Sequence, residues 1–135
     1  MGVLIDSSIL IGYERGYVPL DRYVSDASAD EFFISVITVS ELLHGVHRAK
    51  EDSLRSRRAA FAEAIIERFP IIEIDTATAR VHAQLWASLA ASGKLIGPHD
   101  LWLAAQAIAN GFRFVTANLG EFTRVPGLQV ESWHS

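Results

Sequence analysis

Residues 3–9 read Val3-Leu4-Ile5-Asp6-Ser7-Ser8-Ile9. A short apolar run that stops at an acid reads as a buried strand of a parallel sheet. The two serines that follow are expected to cap a helix starting near Ile9, because their hydroxyls can accept from the free amides of a first turn. Gly16 and Pro19 break that helix, and a second one is expected over 20–27. The strand–helix alternation then recurs. Residues 32–36, Phe-Phe-Ile-Ser-Val, read as a second strand. Thr38 and Glu41 have the spacing of a capping box, with Thr38 at the N-cap of a helix running to about residue 49. A further helix over 53–68 stops before Pro70, and a third strand covers 71–74. Asp75 and Thr76 cap a long helix over 77–92, which Gly93 ends. Pro98 suits the first turn of a very apolar helix over 99–109, closed by Asn110 and Gly111. A fourth strand over 112–115 ends at Thr116, and 128–130 offers a fifth. This alternation predicts an α/β fold with a central, mainly parallel sheet of four to five strands flanked by helices.

The length of 135 residues suits one domain, expected to span 1–135, and half of the residues are hydrophobic, enough for a real core. No apolar run is long enough to cross a bilayer. The first residues carry no basic stretch, and Asp6 interrupts the apolar one, so no secretory leader is expected. Cysteine is absent, which removes disulfides and thiolate metal sites and agrees with a cytoplasmic setting. The net charge of −4 argues against a protein that coats nucleic acid non-specifically. RNA contact would have to be local, and Arg48, Lys50, Arg55, Arg57 and Arg58 form the one basic stretch, with Lys94 and Arg113 as weaker candidates. The competing reading of that stretch is a solvated helix face.

Ligands of an open parallel sheet bind beyond the carboxyl ends of its strands. Asp6 falls at the end of the first strand, Thr116 and Asn118 at the end of the fourth, and Glu41 and Asp100 in early helical turns. Each acid alone could simply cap a helix or complement its dipole. Acids gathered in one crevice repel, and a cation removes that penalty. An oxygen-only ligand set suits Mg²⁺ or Mn²⁺, not zinc, and such a site can activate water for displacement at phosphorus.

Four blocks, VLIDSSILI at 3–11, ITVSELLHG at 37–45, IGPHDLWLAAQA at 96–107 and FVTANLGEFTRVPGLQVESW at 114–133, resemble the PIN-domain nucleases, and more narrowly the VapC toxins of bacterial toxin–antitoxin pairs. The resemblance covers nearly the whole chain, in order and at the family's usual spacing. It implies a three-layer PIN-like fold and a divalent-metal endoribonuclease using Mg²⁺, with Mn²⁺ as a substitute. It also implies an RNA substrate, tRNA or rRNA in known relatives, a homodimer, and a heteromeric complex with a VapB-like antitoxin that neutralises it. Asp6, Glu41 and Asp100 match the family's first three acids. Asn118 stands where many relatives have Asp, with an acid, Glu121, three residues on; either is a candidate fourth metal ligand. Ser8 and Thr116 match small hydroxyl positions that would hold the ligands by hydrogen bonds. An antitoxin could inhibit by laying an amphipathic helix in the groove between the early helices, or by pushing a cation into the acid cluster.

The rival class is a non-catalytic module that only holds RNA or a peptide on the same fold. Other patterns are weaker. Glu41–His44 and Glu131–His134 both read E-x-x-H, but a di-iron bundle needs four long helices, and strands are expected at both ends of this chain. His44 and His47 lack a third ligand. His99, beside Asp100, could carry a proton or be merely a polar first-turn residue. Residues 91–94 lack P-loop spacing, and Ser8 stands where a haloacid-dehalogenase-like phosphatase needs a second Asp. Trp86 and Trp102 read as core or dimer contacts, not as platforms for bases.

Overall fold

The computed structural model describes residues 1–26 and 29–134. In chain order the elements are β1 (Gly2–Ile5), α1 (Ser7–Glu14), α2 (Leu20–Asp26), β2 (Glu31–Ser35), α3 (Val36–His47) and α4 (Asp52–Arg68). They continue with β3 (Ile71–Ile72), α5 (Thr76–Ala91), α6 (Pro98–Asn110), β4 (Arg113–Thr116), a 3₁₀ turn at Gly120–Arg124 and β5 (Val130–Ser132). Ala27, expected to end α2, lies outside the described residues.

The five strands form one sheet in the order β3-β2-β1-β4-β5, and every neighbouring pair is parallel. The chain winds outward one way from β1 to β3 and then returns to the other side of β1 for β4. The carboxyl ends of β1 and β4 therefore flank the switch point, where an open α/β sheet has its crevice. Leu4 lies opposite Phe114, and Ile5 opposite Val115.

Strand alternation sorts the core into two faces. Val3, Ile5, Phe32, Ile34 and Val115 point to one side and pack with Leu10 of α1, Leu42 of α3 and Ile65 of α4. Leu4, Phe33 and Phe114 point to the other and meet Leu103 and Ala107 of α6, with Phe122 of the 3₁₀ turn. The central residues Leu4, Ile5 and Phe114 are fully buried, as expected of a sheet covered on both faces. Outside α6, α5 packs through Leu85 and Leu89 against Leu101, Ala104 and Ala105.

Several local expectations need correction. Helix α1 begins at Ser7, with Asp6 at its N-cap, so Ser7 and Ser8 lie inside the first turn and do not cap it. Helix α3 begins at Val36; Ser35 caps it, accepting from the Ile37 amide at 3.0 Å. Thr38 is thus not an N-cap but a fully buried helical residue, and Glu41 stands in the second turn. Strand β3 is two residues long, not four. Buried Gln106 of α6 donates to the Ile72 and Glu73 carbonyls, both at 3.3 Å, where ladder bonds would otherwise continue. The last strand lies at Val130–Ser132, two residues later than 128–130.

The cap of α5 is as read from the sequence: the Asp75 carboxylate accepts from the Thr78 amide at 2.8 Å. Asp75→Ala is expected to cost about 1 kcal/mol by losing this cap, a fall of about 3–5 °C in Tm for a domain of this size. A thermal melt followed by circular dichroism checks it. Helix α6 ends on Gly111 at φ +69°, a conformation glycine adopts without a Cβ clash.

Candidate active site

Asp6 is placed by the strand that buries it. Its backbone amide donates to the Val115 carbonyl at 2.9 Å, extending the β1–β4 ladder by one rung. The side chain is only 6% exposed. Its Oδ2 accepts from the Ser8 hydroxyl at 2.7 Å and from the Thr116 hydroxyl at 2.8 Å. Ser8 Oγ in turn accepts from the Ala117 amide at 3.0 Å, and Thr116 Oγ1 accepts from the Asn118 amide at 3.1 Å. The two hydroxyls expected from the sequence therefore tie Asp6 to the loop after β4. Burial pushes the Asp6 carboxyl above the usual carboxylate range, and the two hydroxyls and the nearby Ser7 and Ser8 amides oppose that shift.

The other acids face Asp6. Glu41, one helical turn beyond Ile37, is partly buried, and its carboxyl is raised by burial first and by the Asp6 charge second. His99 and a hydrogen bond with the Ser7 side chain pull it back. Its Oε1 is buried and has no hydrogen-bond partner among the described residues. Asp100, in the first turn of α6, is pushed up to about 6, by burial first and then by the charges of Asp6, Glu121 and Glu41. The Asp100 carboxyl also hydrogen-bonds Glu121 in its protonated form, which raises it further. Glu121 is held from behind, its Oε1 accepting from the Gly97 amide at 3.2 Å.

Four acids, from the N-cap of α1, from α3, from α6 and from the 3₁₀ turn, thus share one electrostatic neighbourhood. Of the two candidates for the fourth position, Glu121 has its carboxyl beside Asp100. Asn118 reaches the site through its backbone, while its side chain lies over Gly120 and is exposed. Ser7 was missed by sequence reading; its place directly after Asp6 in the first turn of α1 was the available signal. His99, weighed as a proton carrier, stands close enough to Glu41 to affect its ionisation.

These residues fit a divalent cation. The donors are oxygens, as hard cations prefer, one buried carboxylate oxygen lacks a partner, and burial together with the neighbouring charges already raises Asp100. As they stand, no three His, Cys, Asp or Glu side chains among the described residues meet at a ligating point. An ion would have to draw the half-exposed Glu41 and Asp100 inward against the repulsion that now separates them.

The basic candidates separate clearly. Arg113 opens β4 at the far end of the sheet from Asp6, and its guanidinium bonds Asp30 at 3.2 Å and Glu131 at 3.0 Å. It is a strut between strands, not a phosphate contact. Arg55 is likewise consumed, bonding the Ala49 carbonyl and Asp52. Arg48, Lys50 and Arg57 are exposed, and Arg58 is half-buried, donating to the Gly45 carbonyl at 3.0 Å. Lys94 is exposed on the turn after α5. Trp102 stacks on His82 at 3.5 Å, whereas Trp86 is 55% exposed on α5. No described helix is long and apolar enough to cross a membrane.

A switch-point crevice walled by four carboxylates is the arrangement of a PIN-type nuclease domain, and the model described as PIN domain matches residues 3–128. Among curated relatives, the tRNA(fMet)-specific endonuclease VapC of Shigella flexneri is 36% identical over 130 residues, covering 96% of each chain. Ribonuclease VapC of Rickettsia bellii is 32% identical over 130 residues, covering 96% of this chain and 95% of its own. The crystal structure of DNA-bound VapBC from Salmonella typhimurium superposes with a TM-score of 0.88 at 29% identity over 98% of both chains. The chain belongs to the VapC ribonucleases of the PIN-domain family.

Proposed function

We propose that this chain is an endoribonuclease toxin that hydrolyses RNA phosphodiester bonds with Mg²⁺, or Mn²⁺ in its place, at Asp6, Glu41, Asp100 and Glu121. The observation that carries this reading is the acid cluster itself: four carboxylates at the switch point, with Asp100 pushed up to about 6 by burial first and then by the charges of its neighbours. A module that only binds RNA gains nothing from such a concentration of negative charge. When bound, the ion supplies positive charge at the scissile phosphate and lowers the pKa of water.

The chain's own residues prepare the site. Ser8 and Thr116 fix Oδ2 of Asp6, so that carboxylate has one orientation before any ligand arrives. Glu41 offers its unpartnered Oε1. Glu121, anchored on the Gly97 amide beside Asp100, supplies the charge that Asn118 lacks. Arg48, Lys50, Arg57 and Arg58 supply local positive charge for the RNA backbone on an otherwise acidic protein.

The substrate is a structured cellular RNA, with tRNA favoured by the relatives named for tRNA(fMet). The inhibitor is a VapB-like antitoxin, in keeping with the VapBC complexes this fold superposes on. The domain spans 1–135 and works in the cytoplasm as a homodimer until captured in that complex. Incubating purified protein with total tRNA and mapping new 3′ ends tests the activity. Discrete ends that appear with Mg²⁺ and vanish with EDTA are expected; intact RNA with every divalent metal would refute the nuclease reading.

The assignment of the fourth ligand makes a separate prediction. Glu121→Gln should weaken Mg²⁺ affinity by about tenfold, the scale of losing one charge at a hard-cation site. Asn118→Ala should change it less than twofold. Calorimetric titration of both variants decides the matter, and the reverse order would move the ligand to Asn118.

A further inference from the structure

Two grooves, one lined by Glu41 and the other by Ser8, which donates to Asp6, share Arg15 at the C-cap of α1. The first is lined by Glu41, Arg15, Arg48 and Arg58, over a floor formed by Leu42 and Phe61. The second is lined by Ser8, Ala117, Ile11 and Trp133, and again by Arg15. A third surface groove carries the first outward past Arg57 and Arg58, once more beside Arg15. Arg15 is exposed at the C-cap of α1.

Arg55, Arg68 and Arg113 each have a carboxylate within 3.2 Å. Arg15, Arg48, Arg57 and Arg58 have no ion-pair partner among the described residues. They come from α1, the C-cap of α3 and α4, so the fold gathers them; only three of the four are neighbours in sequence. Glu14 is the one acid on this path outside the catalytic cluster. A protein of net charge −4 thus sets four guanidinium groups that have no ion pair among the described residues along one connected line of grooves.

Resting on the nuclease reading above, we infer that this line is the track for the substrate's sugar–phosphate backbone, with Arg15 as the phosphate contact nearest the scissile bond. Arg58 lines both the first and the third groove, with one of its nitrogens held on the Gly45 carbonyl at 3.0 Å. Arg15 sits between the groove that holds Glu41 and the groove that holds Ser8. A strand crossing the acids passes it on entering one groove or on leaving by the other. The track is sequence-blind; it sets register and affinity and carries no base readout.

The test separates binding from cleavage. A fluorescein-labelled single-stranded 12-mer RNA is titrated with protein in EDTA across a range of KCl concentrations, read by anisotropy. Removing one phosphate contact lowers the slope of log Kd against log salt by about 0.7 for a single strand. Arg15→Gln should therefore lower the slope by that amount and weaken binding about fivefold to tenfold. Arg57→Gln should do the same to a smaller degree. Arg80→Gln, an exposed arginine on α5 away from the track, should move neither quantity. Unchanged affinity and slope in Arg15→Gln would overturn the track, as would a wild type that binds no RNA in EDTA. An Arg15→Gln that loses only its capture by a VapB-like antitoxin would assign the groove to the protein partner instead, and also overturns it. Cleavage in Mn²⁺ is scored separately. A wild type that binds through Arg15 yet never cuts would sink the nuclease reading and leave the track standing.

Discussion

Asp6→Asn should fold and bind RNA as the wild type does, yet lose cleavage by at least about a hundredfold, because a bound metal contributes several kcal/mol of charge stabilisation in such reactions. The substitution keeps the shape. An amide oxygen can still accept from Ser8 and Thr116 at the positions now 2.7 and 2.8 Å from Oδ2. What disappears is the negative charge at the most buried point of the cluster. Glu41→Gln and Asp100→Asn should be impaired on the same scale, and combining two of them should cost little more than one, since the acids act as a unit. Single-turnover cleavage of a labelled tRNA at saturating enzyme measures this. Full activity in Asp6→Asn would remove Asp6 from the reaction.

Without divalent metal, the protein should become less stable as pH rises from about 4 to about 7. Asp100 has its folded pKa raised from 3.8 to about 6, so the native state holds a proton that the unfolded chain releases. Its contribution is fully present below the unfolded value and is lost as pH climbs through about 6. The shift corresponds to roughly 3 kcal/mol in a fully buried group; with Asp100 half-exposed, screening leaves about 1–2 kcal/mol. Asp6 and Glu41, also raised, add in the same direction. Asp100→Asn should therefore raise the metal-free Tm at pH 7 and flatten its pH dependence. Excess Mg²⁺ should stabilise the wild type at pH 7 by mass action, and the variant less. Thermal melts in EDTA at pH 4.5, 6 and 7.5 check the sign. A wild type whose stability rises across that range, in step with the variant, would contradict mutual repulsion among the acids.

The architecture was legible because β1, β2 and β4 are buried on both faces and read as apolar runs, and because Asp75 and Gly111 are local stop and start signals that the structure uses. The acids were legible because strand ends and first helical turns can be located in one dimension. The errors share a cause. Thr38 and Glu41 satisfy a capping pattern, but Ser35 ends a strand paired with Ile72, and the helix starts at once from that fixed point. Arg113 looked free because sequence alone does not show that β5 brings Glu131 beside it. Arg15 was missed for the converse reason: it stands at the opposite end of α1 from Asp6, and only the packing of α1 against α3 and α4 sets it beside the groove lined by Glu41. Glu121 and Asn118 read alike in one dimension; only the fold sets the Glu121 carboxyl beside Asp100 and the Asn118 side chain over Gly120.

The central claim, that these acids share one divalent ion, is tested most directly by locating Mn²⁺. Crystals of the purified protein soaked in Mn²⁺ and measured for anomalous scattering should show an ion bounded by Asp6, Glu41, Asp100 and Glu121, with occupancy lost in Asp6→Asn. An ion bound elsewhere, or one that persists unchanged in Asp6→Asn, would contradict the account.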